Sequence, residues 1–497
     1  MRSERSKKTG QESLSGRSSK NKKRRLLVVS NRSPYYLEST GGTIRMVRNV
    51  SGMVTGLEPV LSSTKGMWIA WGTAPENCSA DTYRIPPSNP TFDLKLIPLD
   101  FDELKHFYLG FSNSTLWPLA HNFLGRTAYL EEDWRVYVAV NQKFATAVAE
   151  EAKPSDLIWV NDYHLALVPM MLRSLRVRSK IGFFWHIPFP PFDLFRTLPW
   201  RKEFLEGLIK ADLIGFHCRS YVQNFLHAVE DILKRDVSFG KGLIRNKRTV
   251  KVEAFPMGVD YPGIQELVHK EETQEAAKRL RQDIGVEHIV LGVDRLDYSK
   301  GIPERLAAVE RFLEENPRYL GKISFVQISV PSRIQIPEYY RMRQEVENAV
   351  GRINGRFAHA AWTPVYYYFR ALPFEELITY YLAADLCFVT PLRDGMNLIA
   401  KEYVAAQDPQ KGMLVLSEFA GAAEELKEAV IVNPYSIPSL VRGLKEALEI
   451  NVAERRTRMS RMRKRLRRKN VEKWGMAFLD RLKESSYDGK RVRRKKV

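Results

Sequence analysis

The sequence predicts an α/β fold built from parallel sheets, and three observations support this prediction. Apolar runs of strand length recur along the chain, and most are continuously apolar, which is typical of parallel strands covered on both faces. Amphipathic helical patterns lie between many of them, as in 221–235 and 302–316. Strands that alternate with helices indicate βαβ units in open sheets, where ligands bind beyond the carboxyl ends of the strands.

The predicted strands form two series. The first comprises 26–31, 156–162, 181–186 and 212–217, and the second comprises 288–294, 323–329, 385–390, 413–419 and 429–435. The charged, strand-poor segment 265–285 separates them, so we place a domain boundary there. The resulting division is a basic tail at 1–25, domains at 26–270 and 271–455, C-terminal helices at 456–485 and a basic tail at 486–497.

The charge of the chain is concentrated at its ends. The 497 residues carry a formal net charge of +20, but 1–25 and 455–497 hold more than all of it, and the body between them is close to neutral. Residues 1–25 are rich in Ser, Lys and Arg and are predicted to be disordered. Basic tails allow nucleic-acid binding, but no interleaved aromatics or nucleic-acid motif supports it, so we do not predict nucleic acid as a partner.

Composition also indicates the compartment. The three cysteines are scattered and odd in number, so neither a disulfide framework nor a zinc site is predicted. The N-terminus has no apolar signal segment, and no run of about 18 apolar residues predicts a membrane span. We therefore expect a cytoplasmic protein.

Two cations follow the first strand of the second series. In GVDRLDYSKGIPER, Arg295 and Lys300 precede a helix that should begin near Gly301 and Pro303. Such a pair at a helix start suits an anion, although ordinary surface cations would give the same pattern. The spacing does not match a Walker A loop. Arg32 and Arg333 also follow strands and would suit a phosphate if they converge.

Polar residues crowd the turn TPLRDGMNLIAKEYVAAQ at 390–407. Asp394 and Gly395 occupy the turn, the helix should start near Asn397, and its first N–H groups would be free for an oxygen-rich ligand. Glu402, one helical turn further, could accept bonds from a diol. The alternative is an acidic helix start that only offsets the helix dipole.

Other strand ends carry weaker candidates. Asp162 and His186 follow strands, and Pro188 stiffens the loop after His186, whereas His164 is expected to pack. Gly52 and Gly56 could let backbone approach a phosphate, or could mark a turn and a close helix contact. A nucleotide-sugar explains the paired carboxylates and cations together.

Several long motifs resemble the trehalose-6-phosphate synthase family. They are RLDYSKGIPER, TPLRDGMNLIAKEYVAAQ, GRINGRF, NDYHLALVP, GFFWHIPFPP and LSEFAGAAEEL, and the resemblance runs from about residue 26 to about 485. The family comprises retaining glycosyltransferases of GT-B architecture, with two Rossmann-like domains whose parallel sheets face a central cleft. The resemblance implies that 26–270 binds the acceptor, that 271–455 binds the nucleotide-sugar donor, and that 456–485 returns to the N-terminal domain.

The resemblance also implies roles for individual residues. The catalytic residues would be Arg295, Lys300, His186 and Asp162. Arg295 and Lys300 would hold the donor diphosphate, and His186 would lie beside the transferred glucose. The remaining donor-binding residues would be Gly52, Asp394, Asn397, Leu398, Ile399, Ala400, Lys401 and Glu402. The acceptor-binding residues would be Arg32, Trp71, Tyr108, Trp117, Asp162 and Arg333. Ser51 replaces the first of the paired glycines usual in the family, Asn161 stands where His is common, and the segment after Arg32 is unusually long.

The implied reaction moves glucose from a nucleotide-glucose, with UDP-glucose as the expected donor, to glucose 6-phosphate, and gives α,α-trehalose 6-phosphate. No metal or other cofactor is expected beyond the nucleotide-sugar co-substrate. Alternatives are a relative that uses another phosphorylated acceptor, such as glycerol 3-phosphate, and a non-catalytic regulatory member of the family. The donor nucleotide and a homo-oligomeric state stay open.

Overall fold

The structure is a computed structural model that describes residues 24–40, 43–48, 52–72, 81–86, 89–245, 248–333 and 336–485. The tail at 486–497, and that at 1–25 except for Arg24 and Arg25, lie outside the described residues. Strands and helices alternate along most of the rest, and two sheets consist mainly of parallel strands. The predicted α/β class is therefore confirmed.

The first sheet has ten strands in the order β10-β11-β12-β9-β8-β7-β1-β4-β6-β5. The strands before residue 255 are β1 (Leu26–Arg32), β2 (Tyr35–Thr40), β3 (Thr43–Arg48), β4 (Met67–Trp71), β5 (Thr82–Ile85), β6 (Phe92–Ile97), β7 (Leu157–Asn161), β8 (Lys180–Phe184), β9 (Leu213–Phe216), β10 (Asp236–Ser238), β11 (Leu243–Arg245) and β12 (Thr249–Ala254). From β12 to β6 all neighbours are parallel, and β2 and β3 form a separate antiparallel hairpin. The apolar residues of β1 and β7 are buried, as their sequences predict.

Helices cover both faces of this sheet. They are α1 (Gly52–Thr64), α2 (Phe101–Glu103), α3 (Trp117–Ala120), α4 (Glu131–Glu151), α5 (Val168–Ser174), α6 (Phe192–Phe195), α7 (Arg201–Leu208) and α8 (Arg219–Leu233). Asp100 and Glu103 form a capping box at the start of α2. A π-helical segment, Leu104–Leu116, continues α2 into α3, and it carries Tyr108 towards the site described below.

The second sheet has six strands, all parallel, in the order β15-β14-β13-β16-β17-β18. They are β13 (His288–Arg295), β14 (Ile323–Val330), β15 (Val365–Tyr368), β16 (Leu386–Val389), β17 (Met413–Ser417) and β18 (Val430–Val432). The strand order reverses between β13 and β16, and such a switch point is where open sheets bind ligands. The segments with Arg295 and Asp394 leave from these two strands.

The remaining helices are α9 (Tyr261–Val268), α10 (Glu271–Ile284), α11 (Ile302–Glu315), α12 (Pro337–Phe357), α13 (Phe374–Ala383), α14 (Leu398–Ala406), α15 (Ile437–Glu449), α16 (Val452–Arg468) and α17 (Val471–Glu484). The sequence division puts α9 in the first domain, but α9 packs against α13 and α14 of the second. Both α9 and α16 contact α14, so helices on either side of the expected limits 271–455 pack with the helices of the second sheet.

The last helix, α17, lies against the first sheet. It packs on α1, β8 and β9, and its Phe478 stacks on Trp159 at 4.3 Å between ring centroids. Trp474 donates to the Phe255 carbonyl at 3.2 Å. Among the helices in the described part of the chain, none combines the length and the apolarity needed to cross a bilayer.

Candidate active site

A cavity of about 520 Å³ lies between the carboxyl ends of the two sheets. It is lined from the first domain by the ends of β1, β7 and β8 and from the second by the segments after β13, β14 and β16. The lining residues that the sequence analysis singled out are Arg32, Tyr108, Trp117, Asp162, His164, His186, Arg295, Lys300, Arg333, Asp394, Gly395, Asn397, Leu398 and Ile399. The structure thus brings together residues spread over almost the whole described chain.

Lys300 and Asp394 form an ion pair in the cavity wall. Lys300 ends a short 3₁₀ turn after β13, and its Nζ lies 2.5 Å from Asp394 Oδ2. Asn397 Nδ2 donates to the same oxygen at 3.1 Å. Burial alone would raise the pKa of Asp394, but the Lys300 ammonium outweighs it and lowers this pKa below its ordinary value. Asp394 is therefore an ionised hydrogen-bond acceptor.

The start of α14 borders the same carboxylate. Asn397 is the N-cap, and its side chain accepts the Ala400 N–H at 3.0 Å. Leu398 and Ile399, the first two helical residues, line the cavity, so the helix start is aimed at whatever occupies it. A Cβ on Gly395 would lie 2.4 Å from the His186 carbonyl oxygen, so this turn contacts the opposite domain as closely as glycine permits.

Two guanidinium groups share the ring of Trp117. The Arg333 guanidinium lies 4.1 Å and that of Arg295 5.2 Å from the ring centroid. Arg333 Nη1 also donates to Asp297 Oδ2 at 3.0 Å, and Tyr339 donates to that oxygen at 2.8 Å. Burial opposes ionisation of Asp297, but Arg333 and Arg295 outweigh it and lower its pKa. Asp297 thus anchors Arg333 as a fixed cation.

Arg32 and Tyr108 meet on the first-domain wall. Arg32 Nη2 donates to the Tyr108 hydroxyl at 2.9 Å, and the Tyr108 ring stacks on His164 with centroids 5.9 Å apart. Burial would raise the pKa of Tyr108, but the guanidinium groups of Arg32 and Arg333 outweigh it and lower this pKa to about 8. His164 packs in this stack, as the sequence predicts.

Asp162 is a partly buried carboxylate held by backbone groups. Its φ of 72° turns the chain sharply after β7, and its Oδ1 accepts the N–H of Tyr163 at 2.9 Å and of His186 at 3.1 Å. Burial raises the pKa of Asp162 to about 6 despite these bonds. Burial also lowers the pKa of His186 well below its ordinary value, so this imidazole is neutral near pH 7.

Other candidates lie behind the cavity wall. Glu402 does not line the cavity and accepts a bond from the Tyr381 hydroxyl at 2.9 Å, and burial raises its pKa to about 7. Lys401 is buried and donates to the Met257 carbonyl at 2.6 Å and to Glu425 at 2.5 Å. Its side chain therefore joins α14 to the segment between the domains and is not part of the cavity lining.

Ala400 and Trp71, predicted to bind the donor and the acceptor, are not among the residues that line the cavity. Ala400 is buried in the first turn of α14, and Trp71 ends β4 and packs on the core. Gly52 begins α1, whose next two residues line the cavity, while 49–51 lie outside the described residues. A Cβ on Gly56 would lie 2.6 Å from Val471, so Gly56 marks the close helix contact that the sequence analysis left open.

Several polar residues of the site were given no role from the sequence, and three of them make the contacts described next. Asp297 holds Arg333, Asn161 contacts His186, and His121 lines the cavity with its Nδ1 2.8 Å from the Trp117 carbonyl. Burial lowers the pKa of His121 to about 3, so it is neutral. Asp297 lies inside the quoted RLDYSKGIPER motif, a signal that could have found it, whereas no local pattern marks His121. Within the described residues, no three or more His, Cys, Asp or Glu side chains are grouped to hold a metal.

Comparison with known proteins agrees with this geometry. The model of Glycosyltransferase family 20 matches residues 24–484. The trehalose-6-phosphate synthase of Mycobacterium marinum is 41% identical over 469 residues, which cover 92% of this chain and 94% of that protein. The bifunctional trehalose-6-phosphate synthase/phosphatase of Thermoproteus tenax is 40% identical over 92% of this chain, which spans 63% of its length.

Solved structures share the architecture. An α,α-trehalose-phosphate synthase (UDP-forming) from Burkholderia xenovorans in complex with glucose-6-phosphate has a TM-score of 0.83 and 36% identity, over 92% of this chain and 100% of its own. The E. coli protein bound with UDP-2-fluoro glucose has a TM-score of 0.84 and 34% identity, over 93% and 99%. The two sheets facing one cavity are the GT-B architecture. The chain is therefore a glycosyltransferase and belongs to glycosyltransferase family 20, among relatives named trehalose-6-phosphate synthases.

Proposed function

We propose that this protein transfers glucose from UDP-glucose to glucose 6-phosphate with retention, giving α,α-trehalose 6-phosphate. One observation carries the proposal: four cations, Arg32, Arg295, Lys300 and Arg333, line a single cavity beside the ionised carboxylate of Asp394. A nucleotide-sugar and a sugar phosphate bound together would place two phosphorylated groups in one site. Four fixed cations offset that charge, and the carboxylate supplies an acceptor for sugar hydroxyls.

On the donor side, Lys300 can serve two partners. A lysine ammonium has three N–H donors, and one of them is directed to Asp394, which leaves two for a diphosphate. Arg295 and the first amides of α14 add to the same anion site. Asp394 then binds hydroxyls of the transferred glucose. The E. coli relative, whose structure is bound with UDP-2-fluoro glucose, supports a UDP-sugar as the donor.

On the acceptor side, Arg32, Tyr108 and Arg333 bind the phosphate of glucose 6-phosphate. Their existing partners support this role, because Arg333 is held by Asp297 and Arg32 by Tyr108 before any ligand arrives. Preorganised donors lose little entropy when a phosphate binds. The Burkholderia xenovorans relative, crystallised in complex with glucose-6-phosphate, supports the same acceptor here.

The reaction needs no protein nucleophile. An acceptor hydroxyl oxygen bonds to the anomeric carbon of glucose on the face from which the phosphate oxygen departs, so the configuration is retained. The leaving phosphate oxygen takes the hydroxyl proton, and the products are UDP and the disaccharide phosphate. Arg295 and Lys300 stabilise the negative charge that grows on the diphosphate, and the remaining groups position the two sugars.

A donor and acceptor matrix tests the proposal. UDP-, GDP- and ADP-glucose are each incubated with glucose 6-phosphate and with glycerol 3-phosphate, and products are identified by NMR. We expect release of UDP with α,α-trehalose 6-phosphate, undiminished by EDTA. Preference for glycerol 3-phosphate would instead support the alternative suggested by the long segment after Arg32, which forms the β2–β3 hairpin.

The double variant Arg295→Ala, Lys300→Ala tests the catalytic roles assigned to these two cations. We expect it to fold and to lose turnover, because both cations beside the leaving group are gone. Full turnover in this variant would refute the assigned roles. Absence of product from the wild-type protein with every donor would favour the non-catalytic alternative.

A further inference from the structure

The side-chain amide of Asn161 is fixed in one orientation. Asn161 is the last residue of β7 and is fully buried, and its Nδ2 lies 3.2 Å from the Trp159 carbonyl oxygen and 3.4 Å from that of Val29. Carbonyl oxygens only accept hydrogen bonds, so the NH₂ group must face them. The amide oxygen Oδ1 therefore faces the other way, 3.2 Å from Nε2 of His186.

This orientation determines where His186 carries its proton. An amide oxygen has no hydrogen to donate, so the bond between Asn161 and His186 forms only when His186 Nε2 carries the proton. Burial keeps this imidazole neutral near pH 7, so it has one ring proton. The second nitrogen, Nδ1, is then unprotonated and can only accept a hydrogen bond.

His186 lies at the cavity, where the nitrogen that carries the ring proton affects which ligand groups the imidazole can bind. It is half-buried and lines the cavity, and its backbone carbonyl packs against Gly395, the neighbour of Asp394. We propose that Asn161 is a positioning residue that fixes His186 as a hydrogen-bond acceptor, so that this part of the wall selects a donor sugar that presents a hydroxyl. The identity of the sugar as glucose rests on the proposed function, whereas the tautomer does not.

A purely structural role for Asn161 makes a different prediction. If the amide served only to tie β7 to β1, its replacement would change stability and leave the ring protons of His186 unchanged. The tautomer is observed directly in two-bond ¹H–¹⁵N NMR spectra of protein labelled with ¹⁵N-histidine. The His186 signals are assigned as those lost in His186→Gln. This readout requires no substrate, so it is independent of whether the proposed reaction is correct.

We expect the wild-type spectrum to show Nε2 as protonated and Nδ1 as unprotonated. Asn161→Asp keeps an oxygen acceptor and should keep the proton on Nε2, whereas Asn161→Leu removes the acceptor and should give a mixture of tautomers. Asn316→Leu, which removes another buried amide in the second domain, should leave the His186 signals unchanged. A proton on Nδ1 in the wild-type protein would overturn the proposal even if the leucine variant failed to fold.

Kinetics with substrate analogues test whether His186 selects a donor sugar that presents a hydroxyl. Donors in which one glucose hydroxyl is replaced by fluorine cannot donate a hydrogen bond at that position. The wild-type enzyme should discriminate against one such analogue by on the order of tenfold in kcat/KM, and Asn161→Leu should lose that discrimination while Asn316→Leu keeps it. If no fluorinated donor shows a penalty that depends on Asn161, the selection role is refuted.

Discussion

At the scale of single residues, the site depends on ionic pairs formed across long stretches of chain. Lys300 pairs with Asp394, Arg333 with Asp297, and the buried Lys401 with Glu425. Removing one member of a buried pair leaves an uncompensated charge, which is more disruptive than removing both. Function and stability are therefore coupled at each of these positions.

The Lys300–Asp394 pair gives a testable case. Lys300→Met and Asp394→Asn should each lower kcat/KM by about 10²–10³, since each removes a charged group that would contact the donor. The double variant should lose less than the sum of the two free-energy changes, because the residues bond to each other. Steady-state kinetics measure this, with the exposed Lys445→Met as control. Strict additivity would mean that the pair is not coupled in the functional state.

The raised pKa of Glu402 leads us to expect that the KM for UDP-glucose depends on pH. Burial raises its pKa to about 7, so it is protonated below that pH and ionised above it. If it binds the ribose diol, the KM for UDP-glucose should fall as pH rises through about 7, by roughly fivefold, since a charged acceptor binds more strongly than a neutral one. Glu402→Gln should remove this pH step. If the step persists in the variant, another group is responsible.

The raised pKa of Glu402 also has a consequence for stability. The folded protein holds this proton more tightly than the unfolded chain, whose glutamate titrates at its ordinary, lower pKa. Folding is therefore favoured most below that ordinary value, and the contribution is lost as pH rises through about 7. Thermal unfolding of the wild-type protein and Glu402→Gln, measured below the ordinary glutamate pKa and above pH 7, would show whether Glu402 stabilises the folded protein at the lower pH.

Local sequence predicted which residues follow the strands but not their distant partners. Arg295, Lys300 and Asp394 were found because parallel strands bring their carboxyl ends together. Asn161 and His121 were given no role because the partner of the first, His186, and the cavity that both line are formed only when distant segments come together. The Lys401 side chain was given no role for the same reason, since its partners Met257 and Glu425 are far away in sequence.

At the scale of elements, regular patterns were predictable and irregular ones were not. The buried strands at 157–161 and 288–295 agree with the predicted 156–162 and 288–294, because continuous apolar runs indicate them directly. The π-helical segment 104–116 and the hairpin after Arg32 have no such local signal. The π-helical segment nevertheless carries Tyr108 to the cavity.

Packing of α1 on α17 gives a prediction at this scale. Gly56→Ala places a Cβ 2.6 Å from Val471 and should destabilise the protein by about 1–3 kcal/mol, as overpacking does. Gly351→Ala is the matched control, because it lies in α12 with nothing within 4 Å of the new Cβ, and it should stabilise by about 0.5–1 kcal/mol. Thermal unfolding compares them. Equal shifts in Tm would contradict the close helix contact.

At the scale of the whole molecule, the two domains meet at the cavity and are joined by two crossing segments. The first crossing precedes α9 and the second precedes α17. The Val471 N–H donates to the Val259 carbonyl at 3.1 Å, and a Cβ on Gly258 would lie 2.2 Å from the Lys469 carbonyl oxygen. The crossings therefore pack directly on each other.

A substitution at Gly395, which contacts the His186 carbonyl, tests whether catalysis needs this close approach of the two domains. In Gly395→Ala the added Cβ would lie 2.4 Å from a backbone oxygen, which cannot move as a flexible side chain would. The domains should then be held apart, and kcat/KM should fall about hundredfold because the reacting groups are displaced. Gly351→Ala should retain full activity. An active Gly395→Ala enzyme would show that catalysis does not need this approach.

The bond from Lys401 to the Met257 carbonyl connects α14, whose first residues line the cavity, to one of these crossings. A ligand bound at the start of α14 would therefore be linked to the crossing through this helix, and any coupling between the two obeys thermodynamic linkage. By reciprocity, whatever closure contributes to donor affinity, donor binding contributes equally to closure. Binding of the first substrate would then change the affinity of the protein for the second.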